Sequence, residues 1–170
     1  NFGGISRPVF LEVNPAINLR HIAIDAQMDG TFRANCYTNI SNDGMSIRAQ
    51  ILDNKDKKLV ETTVPVKAGG DWTSLQLNVP NPALWTAETP NLYKAQFSLL
   101  DKNGKVLHNE TEKFGFRTIE VRESDGLYIN GVRINVRGVN RHSFRPESGR
   151  TLSKAKNIED VLLMKDMNMN

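Results

Sequence analysis

Three adjacent polar residues are the strongest candidates for chemistry in this sequence. In the stretch GVNRHSFRP, residues 138–146, an amide, a guanidinium and an imidazole stand side by side at Asn140, Arg141 and His142. Side chains of these types are costly to bury without hydrogen-bond partners. The stretch is therefore expected either to fix a structural corner or to face a polar ligand.

The residues before this cluster alternate in the way that strands do. The stretch LYINGVRIN predicts a hairpin with its turn at Asn130-Gly131, because this pair accepts the positive φ angles of a tight turn. The next stretch, INVRGVN (134–140), predicts a second strand with Ile134 and Val136 on one face. The polar cluster would then lie at the end of that strand.

A helix is predicted after the loop that carries the cluster, with Ser153 as its N-cap. Its apolar residues recur at three- and four-residue spacings and form a broad stripe: Ala155, Ile158, Val161, Leu162, Leu163, Met164 and Met167. A stripe of this width needs cover, either from the rest of the chain or from a neighbouring copy. Association into a homo-oligomer is one expected outcome.

The segment from about residue 19 to 118 alternates with period two, which is typical of strands with one buried face. Turn residues (Gly, Asn and Asp) separate its runs at fairly even intervals. About seven short strands over this length predict an immunoglobulin-like β-sandwich, with a small closed barrel as the alternative. The expected inward residues are Phe32, Ala34, Cys36, Ile40, Met45, Ile47, Ala49, Ile51, Leu75, Leu77, Val79, Tyr93, Ala95, Phe97 and Leu99.

Three prolines interrupt this pattern in VPNPALWTAETPNLY, residues 79–93. Proline removes a backbone donor, so the stretch predicts an extended crossover rather than a central strand. Trp85 and Tyr93 are expected to pack against the core. The alternative is that these rings form a stacking platform for a sugar.

Composition and charge exclude several classes of function. The net charge of +3 is small, and basic residues are interspersed with acidic ones, so no nucleic-acid partner is expected. No apolar run reaches the ~18 residues of a membrane span, so no membrane partner is expected either. The chain has neither an initiator Met nor a signal peptide, and we expect it to be an excised piece of a longer protein. Its compartment stays open, with an extracytoplasmic location weakly favoured.

Cysteine and histidine usage argues against metal or cofactor chemistry. The sequence has one cysteine, Cys36, which excludes an internal disulfide and a thiolate metal site. Its place in the alternation predicts a small core residue rather than a nucleophile. His21 and His108 have no partners at metal-ligand spacing, and both are expected to be ordinary sandwich or surface residues. No metal and no cofactor are predicted.

Several segments, taken in order, resemble one known family. They are FGGISRPVFLE (2–12), PALWTAETPNLY (82–93), FGFRTIEV (114–121), LYINGVRINVRGVNRHSFRPESGR (127–150) and DVLLMKDMNMN (160–170). They are similar to the middle portion of glycoside hydrolase family 2, which includes β-galactosidases, β-glucuronidases and β-mannosidases. In that order they resemble the closing strand of a jelly-roll domain, a crossover, the strand that leaves the immunoglobulin-like domain, and the opening and first helix of a catalytic TIM barrel.

The resemblance implies a chain of three parts. Residues 1–12 would be the last strand of an N-terminal jelly-roll sugar-binding domain, and residues 13–121 a complete immunoglobulin-like sandwich. Residues 122–170 would be the first hairpin, strand and helix of a truncated TIM barrel. The implied fold is mainly β, followed by an incomplete α/β opening. Active sites of TIM barrels lie at the C-terminal ends of the strands, so the polar cluster would emerge where substrate binds.

The resemblance also implies roles for individual residues. Family members are retaining glycosidases with two carboxyl groups from later barrel strands, so no catalytic residue is predicted here and Glu147 is expected to be a loop carboxylate. His142 would contact sugar hydroxyls. Arg141 would either contact substrate or brace the barrel by pairing with a carboxylate from another strand. Asn140 would either orient the loop or touch the ligand. Ser143 stands where several relatives carry an acidic residue, so the resemblance does not decide which sugar is the substrate.

Two classes of function follow. In the first, the chain is a piece of a glycosidase that cleaves terminal β-linked sugars, with β-galactosides favoured, and it is inactive alone. In the second, it is a standalone immunoglobulin-like module for binding or adhesion, without catalysis. The C-terminal helix favours the first class, because a freestanding sandwich has no use for a broad apolar helix.

Overall fold

The protein is described by a computed structural model that covers residues 4–40 and 43–170 and divides into two compact units. The larger unit is Asn14–Arg133, and the smaller one combines residues 4–13 with Ile134–Asn170. Residues 1–3 of the expected jelly-roll strand lie outside the described residues, and residues 4–12 form neither a strand nor a helix. Assignment of this segment to a jelly-roll domain, and the boundaries after residues 12 and 121, stay predictions.

The larger unit contains the sandwich. Its two antiparallel sheets have three strands in the order β1-β2-β5 and four strands in the order β4-β3-β6-β7. This is the immunoglobulin-like arrangement that the alternation predicts. The strands are β1 (Leu19–Ala26), β2 (Thr31–Thr38), β3 (Ser46–Leu52), β4 (Lys58–Pro65), β5 (Thr73–Asn78), β6 (Tyr93–Leu100) and β7 (Val106–Phe114).

The core lies between the two sheets and is rich in aromatic rings. The ring centroids of Phe32 and Phe114 are 4.8 Å apart, and Tyr93 meets Phe116 edge-on at 5.1 Å. Tilted and edge-on contacts of this kind add to the stabilisation from burial. Fully buried side chains include Phe32, Cys36, Ile47, Ile51, Phe97, Leu99 and Phe116.

One predicted core position is wrong. Ile40 is 42% exposed, because β2 already ends at Thr38. The side chain of Asn39 accepts a hydrogen bond from the backbone N of Asn18 at 2.9 Å and donates one to the carbonyl of Ala16 at 2.8 Å. This amide replaces the strand ladder, so the alternation does not continue to Ile40.

The proline-rich crossover packs in part as expected. The hydroxyl of Tyr93 accepts a hydrogen bond from the backbone N of Ala83 at 2.8 Å, and Tyr93 itself is buried. Trp85 is half-buried, donates its backbone N–H to the carbonyl of Phe116 at 2.9 Å, and has the guanidinium of Arg117 over its ring at 4.5 Å. The core-packing prediction is confirmed for Tyr93, whereas for Trp85, which is half-buried and is not part of the core cluster, it stays a prediction.

A small sheet follows, with strand order β10-β9-β8. Its strands are β8 (Ile119–Arg122), β9 (Gly126–Ile129) and β10 (Val132–Ile134). The predicted turn at Asn130-Gly131 is present, with φ angles of 53° and 77°. The side-chain oxygen of Asn130 accepts from the backbone N of Thr118 at 3.0 Å, and its Nδ2 donates to the carbonyl of Trp85 at 3.0 Å.

The strand predicted over residues 134–140 is not formed beyond Ile134, and Val136 is 66% exposed. A strand needs a neighbouring strand to satisfy its backbone, and the described residues supply only Asn170. The side chain of Asn170 accepts from the backbone N of Arg137 at 2.9 Å, and its backbone N donates to the carbonyl of the same residue at 3.2 Å. Asn170 thus bonds the backbone of Arg137 as a neighbouring strand would, but it forms no strand itself.

The predicted helix is present as α1 (Lys154–Asp166). Ser153 is its N-cap, and the Oγ of this residue accepts from the backbone N of Lys156 at 3.3 Å. No residue of α1 is buried, and Leu162 of the apolar stripe is 60% exposed. Within the described residues, no helix has both the length and the apolar character needed to cross a membrane.

Candidate functional site

The polar cluster lies in an irregular loop between β10 and α1. The loop is closed by a tight turn in which the backbone N of Arg145 donates to the carbonyl of Gly149 at 3.0 Å, and the reverse bond is 2.8 Å long. Gly149 has a φ of 57°, a conformation that glycine adopts without the penalty of a side chain. This turn brings Arg145 back towards the helix that follows.

Arg141 is bound to the helix by its guanidinium. Its Nε and Nη2 donate to Oδ2 of Asp160 at 2.8 Å and 2.5 Å. Its Nη2 also donates to Oδ1 of Asn157 at 2.8 Å. Asn157 and Asp160 are three residues apart and therefore face the same side of α1. The bracing alternative expected a carboxylate from another strand, whereas this one comes from the helix, and the role of Arg141 stays a prediction.

Asp160 is the centre of this group. Its second oxygen, Oδ1, accepts a hydrogen bond from Arg145, so both carboxylate oxygens are occupied by guanidinium groups. The hydrogen bonds from Arg141 hold the pKa of Asp160 below its ordinary value, and the charges of both arginines act in the same direction, although partial desolvation opposes them. A carboxylate held in this way stays ionised at neutral pH and is poorly suited to donate a proton.

Ser143 lies between two guanidinium groups of the smaller unit. Its Oγ accepts from Nη1 of Arg141 at 3.3 Å and from Nη2 of Arg7 at 3.5 Å. An acidic residue at this position would place a negative charge between the same two cations. Serine supplies only a neutral acceptor, so the positive charge here is less compensated than it would be with a carboxylate.

Asn140, Arg141 and His142 are all exposed, but Arg141 alone among these three has side-chain hydrogen bonds within the described residues. Across residues 4–40 and 43–170, we find no side-chain hydrogen bond from Asn140 or His142. Both donors and acceptors of the amide and the imidazole are therefore presented to solvent. Glu147 is also exposed in the same loop. Substrate contacts for the two residues stay predictions.

The remaining candidates from the sequence lie in the sandwich. Cys36 is buried, and desolvation raises the pKa of its thiol to about 12, so it is not an activated nucleophile. The Nδ1 of His108 accepts a hydrogen bond from the backbone N of Leu19 at 3.1 Å, and its Nε2 lies 3.5 Å from Oε1 of Glu110. These contacts indicate a structural role for His108. The described part of the chain contains no group of three or more side chains suited to hold a metal ion.

Sequence reasoning missed the role of Asp160. The sequence predicts the apolar stripe of α1 but assigns no role to its polar residues. Asn157 and Asp160 are three residues apart, a spacing that places both on one face of a helix. Two arginines four residues apart in the preceding loop were the second available signal. Only the folded loop shows that both arginines converge on one carboxylate.

Comparisons with known proteins identify two successive matches along the chain. The profile of "Glycosyl hydrolases family 2" matches residues 17–117, and the profile of "Glycosyl hydrolases family 2, TIM barrel domain" matches residues 119–170. The first match covers the sandwich and the second covers the polar loop and α1.

Among individual relatives, a putative β-glucuronidase of Formosa agariphila is 32% identical over 177 residues, covering 99% of this chain and 21% of that protein. A β-galactosidase of Halalkalibacterium halodurans is 32% identical over 175 residues, covering 99% of this chain and 17% of that protein. The chain thus spans about a fifth of the length of these relatives.

The fold is shared with solved structures. The β-glucuronidase of Bifidobacterium dentium, complexed with coumarin-3-O-glucuronide, superposes with a TM-score of 0.80 over 91% of this chain and 26% of that one, at 23% sequence identity. Because the first family profile alone covers more than half of the sequence and the second continues from it to the last residue, this chain belongs to glycosyl hydrolase family 2.

Proposed function

We propose that this chain is part of a retaining glycoside hydrolase that cleaves terminal β-linked sugars, with a β-galactoside as the preferred substrate. The observation that carries the proposal is the succession of two family 2 profiles, sandwich and then barrel, with the polar cluster inside the second. Relatives named β-galactosidase and β-glucuronidase support a carbohydrate substrate. Hydrolysis would belong to the longer protein.

In this proposal the chain supplies a scaffold and one edge of the active site. Arg141 and Asp160 tie the loop to α1, and the loop presents Asn140 and His142 to solvent. A neutral imidazole can donate one hydrogen bond and accept another, which suits two neighbouring sugar hydroxyls. The amide of Asn140 offers the same pair of functions.

The chain alone is proposed to be inactive. Retaining hydrolysis needs an acid and a nucleophile, two carboxyl groups about 5 Å apart. Of the carboxylates near the polar cluster, Asp160 is held ionised by two arginines and Glu147 lies exposed in the loop. An ionised Asp160 held by two arginines does not supply the protonated acid of such a pair.

The charge of the loop supports a neutral sugar over a uronic acid. Binding of a glucuronide carboxylate requires a cation that is free to pair with it. The guanidinium groups of Arg141 and Arg145 are already directed at Asp160. The engagement of these two arginines favours a β-galactoside. Arg7, whose guanidinium contacts the neutral Oγ of Ser143 at 3.5 Å, makes a β-glucuronide the competing outcome of the test.

The test uses the complete protein that contains this sequence. Purified protein is assayed with p-nitrophenyl β-galactoside and p-nitrophenyl β-glucuronide, beside its His142→Ala variant and beside the 170-residue chain alone. We expect turnover of the galactoside, a large loss in the variant, and none with the isolated chain. Turnover of the glucuronide alone would overturn the choice of sugar, and turnover by the isolated chain would overturn its role as scaffold.

A further inference from the structure

A row of aromatic rings crosses the outer face of the three-stranded sheet β1-β2-β5. The ring centroids of His21 on β1 and Tyr37 on β2 are 5.5 Å apart, and those of Tyr37 and Trp72 are 5.9 Å apart. Trp72 immediately precedes β5. The row therefore spans all three strands of the sheet at one end.

The strand register places this row outside the core. Cys36 and Thr73 are paired across β2 and β5 and both are buried, so their neighbours Tyr37 and Trp72 point to the opposite face. Trp72 is 47% exposed. The core gains little from an indole in this position, and a row of exposed rings is more informative than a single exposed apolar residue.

Polar side chains continue the same face in two further rows. Ala23, Asn35 and Ser74 are paired across the three strands, and the hydroxyl of Ser74 donates to Oδ1 of Asn35 at 2.7 Å. An amide and a hydroxyl that share one bond keep further donors and acceptors between them. The side chains of this row are shorter than the rings of the aromatic row beside it.

The third row carries charge, but its charges are paired with each other. Asp25 lies 3.8 Å from Nη1 of Arg33, whose Nε donates to Gln76 at 3.3 Å. This face therefore offers planar hydrogen-bonding groups without an uncompensated ion among them. Such a surface complements a ligand that is polar and uncharged.

We infer that the His21–Tyr37–Trp72 row, with Asn35 and Ser74 beside it, is a binding platform for a neutral glycan chain. Sugar rings present apolar C–H groups on their faces and hydroxyls at their edges. The aromatic row would stack against the faces of the sugar rings, and the amide and hydroxyl row would hydrogen-bond to the hydroxyls at their edges. Ligand sites commonly combine apolar contacts with a few polar groups in this way. The exposed apolar part is one narrow row bordered by polar groups, which fits a polymer of sugars better than a protein surface.

This inference goes beyond the proposed function, because binding at the platform needs no hydrolysis. It is tested with the 170-residue chain by native gel electrophoresis in the presence of soluble β-1,4-galactan, of hydroxyethyl cellulose, or of the acidic polymer polygalacturonate. We expect at least one neutral polymer to retard the chain. Trp72→Ala should abolish the retardation, and Trp72→Phe, which keeps a ring, should preserve part of it.

Tyr128→Ala is the matched control. Its ring lies on β9 under the guanidinium of Arg122, at 3.6 Å, and not on the platform. Retardation should be unchanged in this variant. Unfolding temperatures of all variants are measured in parallel, so that a loss of fold is not taken for a loss of binding.

A measurement on the unaltered chain covers the case in which Trp72→Ala does not fold. The neutral polymer that retards the chain should protect its tryptophan emission from quenching by acrylamide, since Trp72 is the more exposed of the two indoles. Retardation by neither neutral polymer, retardation by polygalacturonate alone, or binding that survives Trp72→Ala would overturn the inference. These results are independent of the hydrolysis assay on the longer protein.

Discussion

The carboxylate of Asp160 on α1 forms an ion pair with Arg141 from the preceding loop, with an Nη2–Oδ2 distance of 2.5 Å. The ion pair is partly shielded, since the side chains are 27% and 19% exposed. The helix buries no residue of its own, and isolated helices of this length are marginal in water. This contact is therefore the main tie that we find between the polar loop and α1.

Replacement of Asp160 by Asn should loosen this tie. The variant keeps the size of the side chain but removes the charge that both arginines face. We expect faster hydrogen exchange of the backbone amides of residues 141–149 and of α1, with the sandwich unaffected. Glu159→Gln is the control, because the hydrogen bond and ion pair that Glu159 makes within the described residues go to Lys156 on the same helix. Equal exchange in the two variants would argue against the tie.

The same contact should depend on pH in a defined direction. The pKa of Asp160 is lowered from the ordinary value of 3.8, chiefly by the hydrogen bonds from Arg141. A lowered pKa means that the contribution is present above the unfolded value and is lost as pH falls through the folded one. Protection of the loop amides should hold at pH 5 and disappear only below about 3.8. A titration of Asp160 above that value, followed by NMR, would contradict this.

Gly115 is expected to be intolerant of a side chain. A Cβ at this position would lie 2.6 Å from Cβ and 2.9 Å from Cγ of Trp85. Gly115→Ala should therefore displace the indole and lower the free energy of unfolding by about 1–3 kcal/mol, as overpacked sites do. The control is Gly138→Ala, where nothing lies within 4 Å of the new carbon. Urea unfolding of both variants measures the difference.

Cys36 should not react with thiol reagents while the protein is folded. Its side chain is buried, and its thiol has a pKa raised to about 12 by desolvation. Since the thiolate is the reactive form, labelling at neutral pH should proceed only through unfolding. Modification by an aromatic disulfide reagent should be slow in buffer and complete in guanidinium chloride. Rapid labelling of the folded chain would contradict the buried placement.

The uncovered stripe of α1 leads to a prediction about association. Ile158, Val161, Leu162, Leu163 and Met167 are each about half exposed or more. We expect the isolated chain to self-associate as its concentration rises and to gain helicity as it does so, because grouped apolar surface seeks cover. Leu162→Asp should reduce both effects. Lys57→Gln, which makes the same change in net charge at an exposed position between β3 and β4, should not. Sedimentation velocity that shows a strict monomer at all concentrations would refute this.

Much of the sandwich could be predicted from the sequence, because period-two alternation and burial have the same physical cause. Every inward residue expected in β3, β5 and β6 is buried, although Leu52, Ser98 and Leu100 are buried out of phase as well. Ile40 does not follow the alternation, because β2 ends at Thr38 and the side chain of Asn39 bonds the backbone of residues 16 and 18. The helix and its N-cap were predictable because both signals are local.

The polar loop was only partly predictable. Alternation in 134–140 predicts a strand, but pairing is decided by residues far away in sequence. Within the part of the chain that the structure describes, we find such a partner only in Asn170. The cluster at 140–142 could be located from residue types. That Arg141 turns to the helix, while Asn140 and His142 face solvent, depends on Arg145 and Asp160 meeting in space. No local pattern encodes that convergence.

The hairpin turn at Asn130 also bears on how the protein ages. An asparagine followed by glycine is prone to spontaneous deamidation, in which the backbone nitrogen of Gly131 attacks the side-chain carbonyl carbon. Here both ends of the amide are hydrogen-bonded, to Thr118 and to Trp85, which opposes the side-chain rotation that the attack needs. If the reaction does occur, a negatively charged oxygen replaces Nδ2 opposite the Trp85 carbonyl, and a hydrogen bond becomes a repulsion. Storage of the protein would then be limited by the chemical lifetime of a single side chain.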